Sequence, residues 1–92
     1  MSINIYKEEN FETIKYLSEN DWELPTQMDE LEKWLEKDGK NLPKGKYVAD
    51  IGFTIRKDAS GGGGVLNSKM IKTLNEIGME IYFSEYRDEK NE

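Results

Sequence analysis

The stretch YVADIGFTI, residues 47–55, alternates apolar and polar side chains more regularly than any other part of the chain. Its odd positions are all apolar, whereas Asp50, Gly52 and Thr54 share the even positions with Val48. Successive side chains of a strand point to opposite faces of a sheet, so this period of two predicts a strand with one face toward the core. The other face is then left to solvent or to a partner.

Two further segments alternate in the same way. Residues 3–6 alternate Ile with Asn and Tyr, and residues 79–84 alternate Met, Ile and Phe with Glu, Tyr and Ser. Both patterns predict short strands, and for residues 3–6 a frayed terminus is the alternative.

Helical spacing of apolar residues occurs in three segments. Residues 10–19 place Phe11, Ile14 and Leu17 three positions apart, which predicts a first helix with one apolar face. Residues 26–38 predict a second helix, in which Thr26 is the expected N-cap because Asp29 follows three positions later.

The ends of the second and third helices are marked by turn-forming residues. Gly39 follows the second helix and is expected to end it in the left-handed conformation. The third helix is expected to begin with Asn67 or Ser68 as its cap and to end at Gly78.

The order of these elements predicts the fold class. It reads β-α-α-β-α-β, which favours an α+β domain of two layers, with a small sheet of about three strands and helices packed on one face. A chain of 92 residues is long enough for one hydrophobic core. We therefore expect a single domain over residues 1–86, followed by a disordered tail over residues 87–92.

The composition excludes most catalytic chemistry. The chain has neither Cys nor His, so it lacks thiolate nucleophiles, the commonest general base at neutral pH and the usual transition-metal ligands. Asp50 and Glu80, with Asp58, could form a paired-carboxylate site for acid–base catalysis or for Mg²⁺ or Ca²⁺. A solvated acidic face is favoured, because so small a domain has little room to desolvate a carboxylate. We expect no enzyme activity, no catalytic residue, no metal site and no cofactor.

The charge balance indicates the class of partner. Nineteen Asp and Glu residues outnumber 13 Lys and Arg residues, which gives a net charge of -6. Such a chain repels nucleic acid and anionic membranes on average and attracts a basic protein. It also shows neither a signal peptide nor an apolar run long enough to span a membrane, so a cytoplasmic location is expected.

The glycine run at residues 61–64 has two interpretations. Its backbone N–H groups could cradle a phosphate, but Val65, Leu66 and Asn67 intervene before Ser68 and Lys69, which is not the spacing of a P-loop. A flexible connection, or a loop that orders when a partner binds, is favoured.

The last strand suggests where a partner binds. Tyr82 and Tyr86 share one face with Glu80, opposite the apolar positions, and tyrosines beside carboxylates suit a protein interface. A second core layer with helices on both faces of the sheet would bury them instead, and the pattern leaves both open. The expected partner-binding residues are Asp50, Asp58, Glu80, Tyr82, Glu85 and Tyr86.

Residues 62–86 resemble the C-terminal end of a bacterial domain family of unknown function. The pattern of that family runs from a Gly-Gly pair through Leu-Ser and a helix with paired leucines to Leu-Gly-Leu, then to a strand ending in Phe and Tyr. The matching residues are Gly62, Gly63, Leu66, Asn67, Met70, Ile71, Leu74, Ile77, Gly78, Met79, Ile81, Phe83 and Tyr86, within about a quarter of the chain. Asn67 stands where Ser is usual, and Ser68 where Pro often opens the helix.

The resemblance implies a fold more than an activity. More loosely, the chain is similar to the small acidic immunity proteins of contact-dependent and polymorphic toxin systems. That similarity implies an inhibitor that occludes the active site of a cognate toxin, which we expect to be a nuclease. Two alternatives remain open: a regulatory or structural homodimer that pairs through an exposed strand edge, and a phage-type nucleic-acid mimic.

Overall fold

A four-stranded mixed sheet and two helices form the domain in a computed structural model, which describes residues 2–87. The strands are β1 (Ile3–Lys7), β2 (Thr13–Leu17), β3 (Tyr47–Thr54) and β4 (Met79–Tyr86). The helices are α1 (Leu24–Lys37) and α2 (Ser68–Ile77), and a 3₁₀ turn (Gly39–Asn41) follows α1. The α+β class is confirmed. The predicted disordered tail lies outside the described residues, except for Arg87.

The strands lie in the order β2-β1-β3-β4. β1 runs antiparallel to both of its neighbours, whereas β3 and β4 are parallel. Parallel neighbours need a crossover connection, which α2 and the loop before it provide. The prediction of about three strands was one too few.

The first predicted helix, over residues 10–19, was wrong, because this segment contains β2. The element order is therefore β-β-α-β-α-β. The pairing of β1 with β2 shifts register between Ile5 and Tyr6 and leaves Ile14 as an extra residue, a β-bulge. Ile14 and Leu17 consequently both pack against the core although they are three positions apart. The bulge thus produces the spacing that is otherwise typical of a helix.

Both helices pack on the same face of the sheet, as predicted. The core lies between the helices and the sheet. It consists of Ile3, Ile5, Tyr47, Ala49, Ile51 and Met79 from the strands, Met28, Leu31, Trp34 and Leu35 from α1, and Met70, Leu74 and Ile77 from α2. Each large apolar side chain buried in this layer contributes about 1.5–3 kcal/mol. The odd positions Tyr47, Ala49 and Ile51 supply the middle of the layer, as the alternation predicts, whereas Ile55 lies beyond the end of β3 and is 60% exposed.

The start and the end of α1 differ from the prediction. The helix begins at Leu24, and its N-cap is Glu23, which makes no capping hydrogen bond with its side chain. Pro25 is tolerated in the first turn because the backbone N–H groups there have no partner within the helix. Gly39 is not in the left-handed region. It is required there for another reason, since a Cβ would lie 2.7 Å from the ring of Trp34.

The two ends of α2 agree with the prediction. The side-chain oxygen of Asn67 accepts a hydrogen bond from the backbone N–H of Met70 at 2.9 Å. At the other end Gly78 has a φ of 83°, the left-handed conformation expected of it.

Candidate partner-binding face

The face of the sheet turned away from the helices is here called the open face. It carries the even-numbered side chains of β3 and β4 and the residues of β1 and β2 that pair beside them. One row across this face runs Tyr16, Asn4, Asp50 and Tyr82, with one residue from each strand. Neither helix within residues 2–87 covers it.

Aromatic side chains occupy much of the open face. Tyr16, Tyr82 and Tyr86 are each about half exposed, at 46%, 44% and 51%. Val48 and Gly52 are buried on this face although neither of the two described helices lies over them. This face is therefore neither a second core nor a fully hydrated surface, and half-exposed tyrosines of this kind are enriched in protein interfaces.

Two carboxylates lie among these rings. The Ser84 hydroxyl donates a hydrogen bond of 2.6 Å to Oδ1 of Asp50, which is partly buried. Glu80 is exposed and pairs in register with Val48. Val48 is the neighbour of Asp50 on this face of β3. Among the strand residues that the structure describes, no Lys or Arg lies on this face between its edges, so the local charge is negative.

The pKa of Tyr6 reflects both its burial and the negative charge of the open face. Burial is the first cause that raises the pKa of its phenol above the ordinary value of 10.0, and the charge of Asp50 is the second. Tyr82 and Glu8 raise this pKa further. Tyr6 therefore keeps its proton, and remains a hydrogen-bond donor, at every physiological pH.

Metal chemistry has no candidate ligand group in the described part of the chain. No group of three or more acidic side chains there could hold a metal ion. The donor set at Asp50 is one carboxylate with a serine hydroxyl, and that hydroxyl already donates to it. We identify no residues that could hold a cofactor.

Four of the six predicted partner-binding residues lie together on the open face: Asp50, Glu80, Tyr82 and Tyr86. The other two do not join them. Glu85 pairs in register with Phe53 and so points to the helix side of the sheet, because alternate residues of a strand face opposite ways. Asp58 lies in a turn beyond the end of β3.

A pocket of about 280 Å³ lies at one end of the open face. Tyr16, Trp22 and Tyr86 form its walls, and Asn4 and Asp50 line it as well. The rings of Trp22 and Tyr86 meet edge to face, with centroids 5.6 Å apart and planes at 86°. This edge-to-face geometry is favourable for an aromatic pair.

Gly52 makes this arrangement possible. A Cβ at this position would lie 2.7 Å from Cε2 of Tyr86 and 3.3 Å from Cζ3 of Trp22, so any larger residue would displace the rings. The sequence contains a signal for this, because an isolated glycine within a strand pattern often marks a close approach of another group. Trp22, Tyr16 and Asn4 also line the pocket but were not predicted as site residues from the sequence.

The segment that carries Trp22 is fixed to the sheet by hydrogen bonds. The backbone N–H of Thr54 donates to the carbonyl oxygen of Trp22 at 3.0 Å. The amide nitrogen of Gln27, which is fully buried, donates to the carbonyl oxygens of Asp21 at 2.9 Å and Gly52 at 2.7 Å. These bonds hold the tryptophan wall in place before any ligand arrives.

Comparison with known proteins does not identify the chain. No family model, no curated protein and no solved structure matches it significantly. The resemblance of residues 62–86 to a bacterial domain family therefore stays a prediction.

Between Ser2 and Arg87, neither helix is both long and apolar enough to cross a bilayer.

Proposed function

We propose that the chain is a non-enzymatic binding protein that docks its open face on a basic protein. The partner is a bacterial toxin, and the chain is its immunity protein, acting inside the cell that makes it. The observation that carries this proposal is the set of half-exposed aromatic rings and carboxylates on a sheet face that no described helix covers.

The chemistry of the open face suits protein recognition. Tyrosines bring a large contact area and a hydroxyl on a side chain with few rotatable bonds, so little conformational entropy is lost on binding. Asp50 and Glu80 add negative charge among the rings, and the net charge of -6 extends the attraction to longer range. Such charges raise the association rate with a positive surface more than they raise the final affinity.

Inhibition would follow from occlusion. The groove of a nuclease is positively charged because it binds phosphates, and the carboxylates of the open face would take the place of those phosphates. The complex would form in a ratio of one to one and would weaken as salt screens the charges.

The test uses the toxin domain encoded beside the gene and a matched pair of variants in β4. Glu80→Lys reverses a charge on the open face, and Glu85→Lys makes the same change at an exposed position on the opposite face. We expect the first to weaken binding roughly tenfold or more and the second to change it by less than about twofold. Isothermal calorimetry at two salt concentrations gives the dissociation constants, and thermal melting shows that both variants fold. Absence of toxin binding at low salt, or equal losses in the two variants, refutes the proposal.

A second candidate function is a homodimeric regulatory or structural module. The eight residues of β4 pair with β3 on one side only, and Phe83 on this edge strand is 54% exposed. An open edge of this kind can pair with a second copy of the chain. Sedimentation separates the candidates, because a stable dimer that binds no toxin favours the module and a monomer excludes it.

A further inference from the structure

The pocket on the open face combines aromatic walls with one carboxylate. Tyr16, Trp22 and Tyr86 come from different parts of the chain, and the interlocked rings of Trp22 and Tyr86 stand over the bare backbone of Gly52. Aromatic faces carry negative electrostatic potential and attract cations within about 6 Å. The aromatic walls and the carboxylate therefore both favour a positively charged ligand.

Asp50 is placed to bind such a cation directly. Oδ1 accepts the Ser84 hydroxyl at 2.6 Å, while Oδ2 receives no hydrogen bond from the residues that the structure describes. The carboxylate lines the pocket and is partly buried, so a positive donor would restore the solvation that it loses there. Within residues 2–87 the lining includes no Lys or Arg that could neutralise it from inside the chain.

We infer that this pocket accepts an arginine side chain of the basic partner. The inference rests on the proposed function and names the residue type that the open face recognises. A guanidinium is planar, so it stacks against a tryptophan or tyrosine ring while its N–H groups point at a carboxylate. The volume of about 280 Å³ is enough for one such side chain.

Other ligand classes fit this chemistry less well. A phosphate or a carboxylate would be repelled by Asp50, and an apolar side chain would bury the carboxylate with the Ser84 hydroxyl as its one donor and leave its charge unpaired. A lysine ammonium carries the charge but has no planar surface to stack on the rings. Arginine satisfies the carboxylate and the aromatic walls together.

The test does not need the partner. The probes are three capped tripeptides, Gly-Arg-Gly, Gly-Lys-Gly and Gly-citrulline-Gly, of which the last keeps the shape of arginine but has no charge. NMR follows the indole N–H signal of Trp22 during each titration. We expect the arginine peptide to shift this signal with a dissociation constant in the millimolar range, the lysine peptide to bind more weakly, and citrulline to have no effect.

Variants locate the binding. Asp50→Asn keeps an oxygen for the Ser84 hydroxyl but removes the charge, and we expect it to weaken arginine binding about tenfold. Tyr16→Ala removes one wall at a half-exposed position on an edge strand, where folding is least at risk, and also weakens binding. Glu85→Gln removes an equal charge on the opposite face and leaves binding unchanged.

Three results would overturn the inference. These are an equal response to arginine and citrulline, binding of lysine as tight as that of arginine, or an unchanged affinity in both Asp50→Asn and Tyr16→Ala. The proposed function fails separately. If the arginine peptide binds but no toxin does, the pocket stands and the function falls; if the toxin is inhibited equally by wild type and both variants, the function stands and the pocket falls.

Discussion

Asp50 lies in the middle of the open face, between Asn4 on β1 and Tyr82 on β4. The Ser84 hydroxyl holds one of its oxygens, and its charge acts on the phenol of Tyr6. A partly buried carboxylate with one hydrogen-bond donor loses solvation that this single bond does not fully restore. Under the proposed function, a positive group of the partner would restore part of this solvation.

The titration of Tyr6 tests this electrostatic coupling. Burial is the first cause of its raised pKa and Asp50 the second, so Asp50→Asn should lower the pKa toward 10.0 without restoring it fully. An absorbance titration of tyrosinate, with Tyr6→Phe as the reference, measures the change. Glu85→Gln is the control and should leave the pKa where it is. A pKa of Tyr6 that does not respond to Asp50→Asn would show that the two groups are not coupled.

The same shift has a consequence for stability at high pH. The folded state holds the Tyr6 proton more tightly than the unfolded chain does, so the stabilisation is fully present below pH 10.0. It is lost as the pH rises from there through the raised pKa of the folded state. We therefore expect the free energy of unfolding to fall less steeply in this alkaline range for Tyr6→Phe than for wild type, as measured by urea denaturation.

At the scale of elements, β3 connects the core to the candidate site. Its odd-numbered residues pack beneath α1 and α2. Its even-numbered residues, which include Asp50 and Gly52, lie on the open face. The ends of α2 are what bring β4 into register beside it: Asn67 begins the helix and Gly78 turns the chain into the strand. A Cβ at Gly78 would overlap the carbonyl oxygen of Gly45, so the turn is closed against the segment before β3.

The N-terminal ends of the two helices predict different losses of stability for two similar substitutions. Asn67→Ala removes the bond to the Met70 N–H and the bond of 2.7 Å to the Glu32 carboxylate, and should lower the free energy of unfolding by about 1–2 kcal/mol. Thr26→Ala is the matched control, because Thr26 lies within α1 and caps nothing. It should change the free energy of unfolding by less than about 0.5 kcal/mol. Urea denaturation of both variants decides, and a larger loss for Thr26→Ala would contradict the helix start at Leu24.

At the scale of the whole molecule, the sheet order predicts which amides exchange slowest with solvent. Within residues 2–87, β1 and β3 pair on both sides, whereas β2 and β4 each pair on one side. Hydrogen exchange followed by NMR should therefore give the highest protection in β1 and β3. The same spectra test the corrected element, since carbon chemical shifts of Thr13–Leu17 should be those of a strand. Helical shifts there would restore the first interpretation of residues 10–19.

Local patterns predicted much of this architecture. The alternation in residues 47–55 and 79–84 located β3 and β4, and the same alternation placed Asp50 and Glu80 on one face. β2 escaped because five residues carry too little periodicity to separate a bulged strand from a helix, and Ile14 and Leu17 favoured the helix.

The pairing of strands and the pocket depend on contacts that no local pattern encodes. The parallel neighbours β3 and β4 are distant in sequence, and the segment of Trp22 is held beside the open face by hydrogen bonds that involve Thr54 and Gln27. Tyr16 was not predicted as a site residue because its segment was predicted to be a helix. Among the pocket residues, Asp50 and Tyr86 were predicted as partner-binding residues, and the isolated Gly52 carried a further local signal of a close approach.

The strand order also sets the folding problem that this chain must solve. Two of its three ladders join residues far apart in sequence: Ile3 pairs with Ile51, 51 − 3 = 48 positions away, and Tyr47 pairs with Met79, 79 − 47 = 32 positions away. Forming each of these ladders closes a long loop. The conformational entropy of that loop is lost before the contacts within the ladder contribute any stabilisation. Only the β1–β2 hairpin is local. Refolding should therefore be slower than in a helical bundle of the same length, with β4, and with it the tyrosine wall of the pocket, dependent on the slow closure.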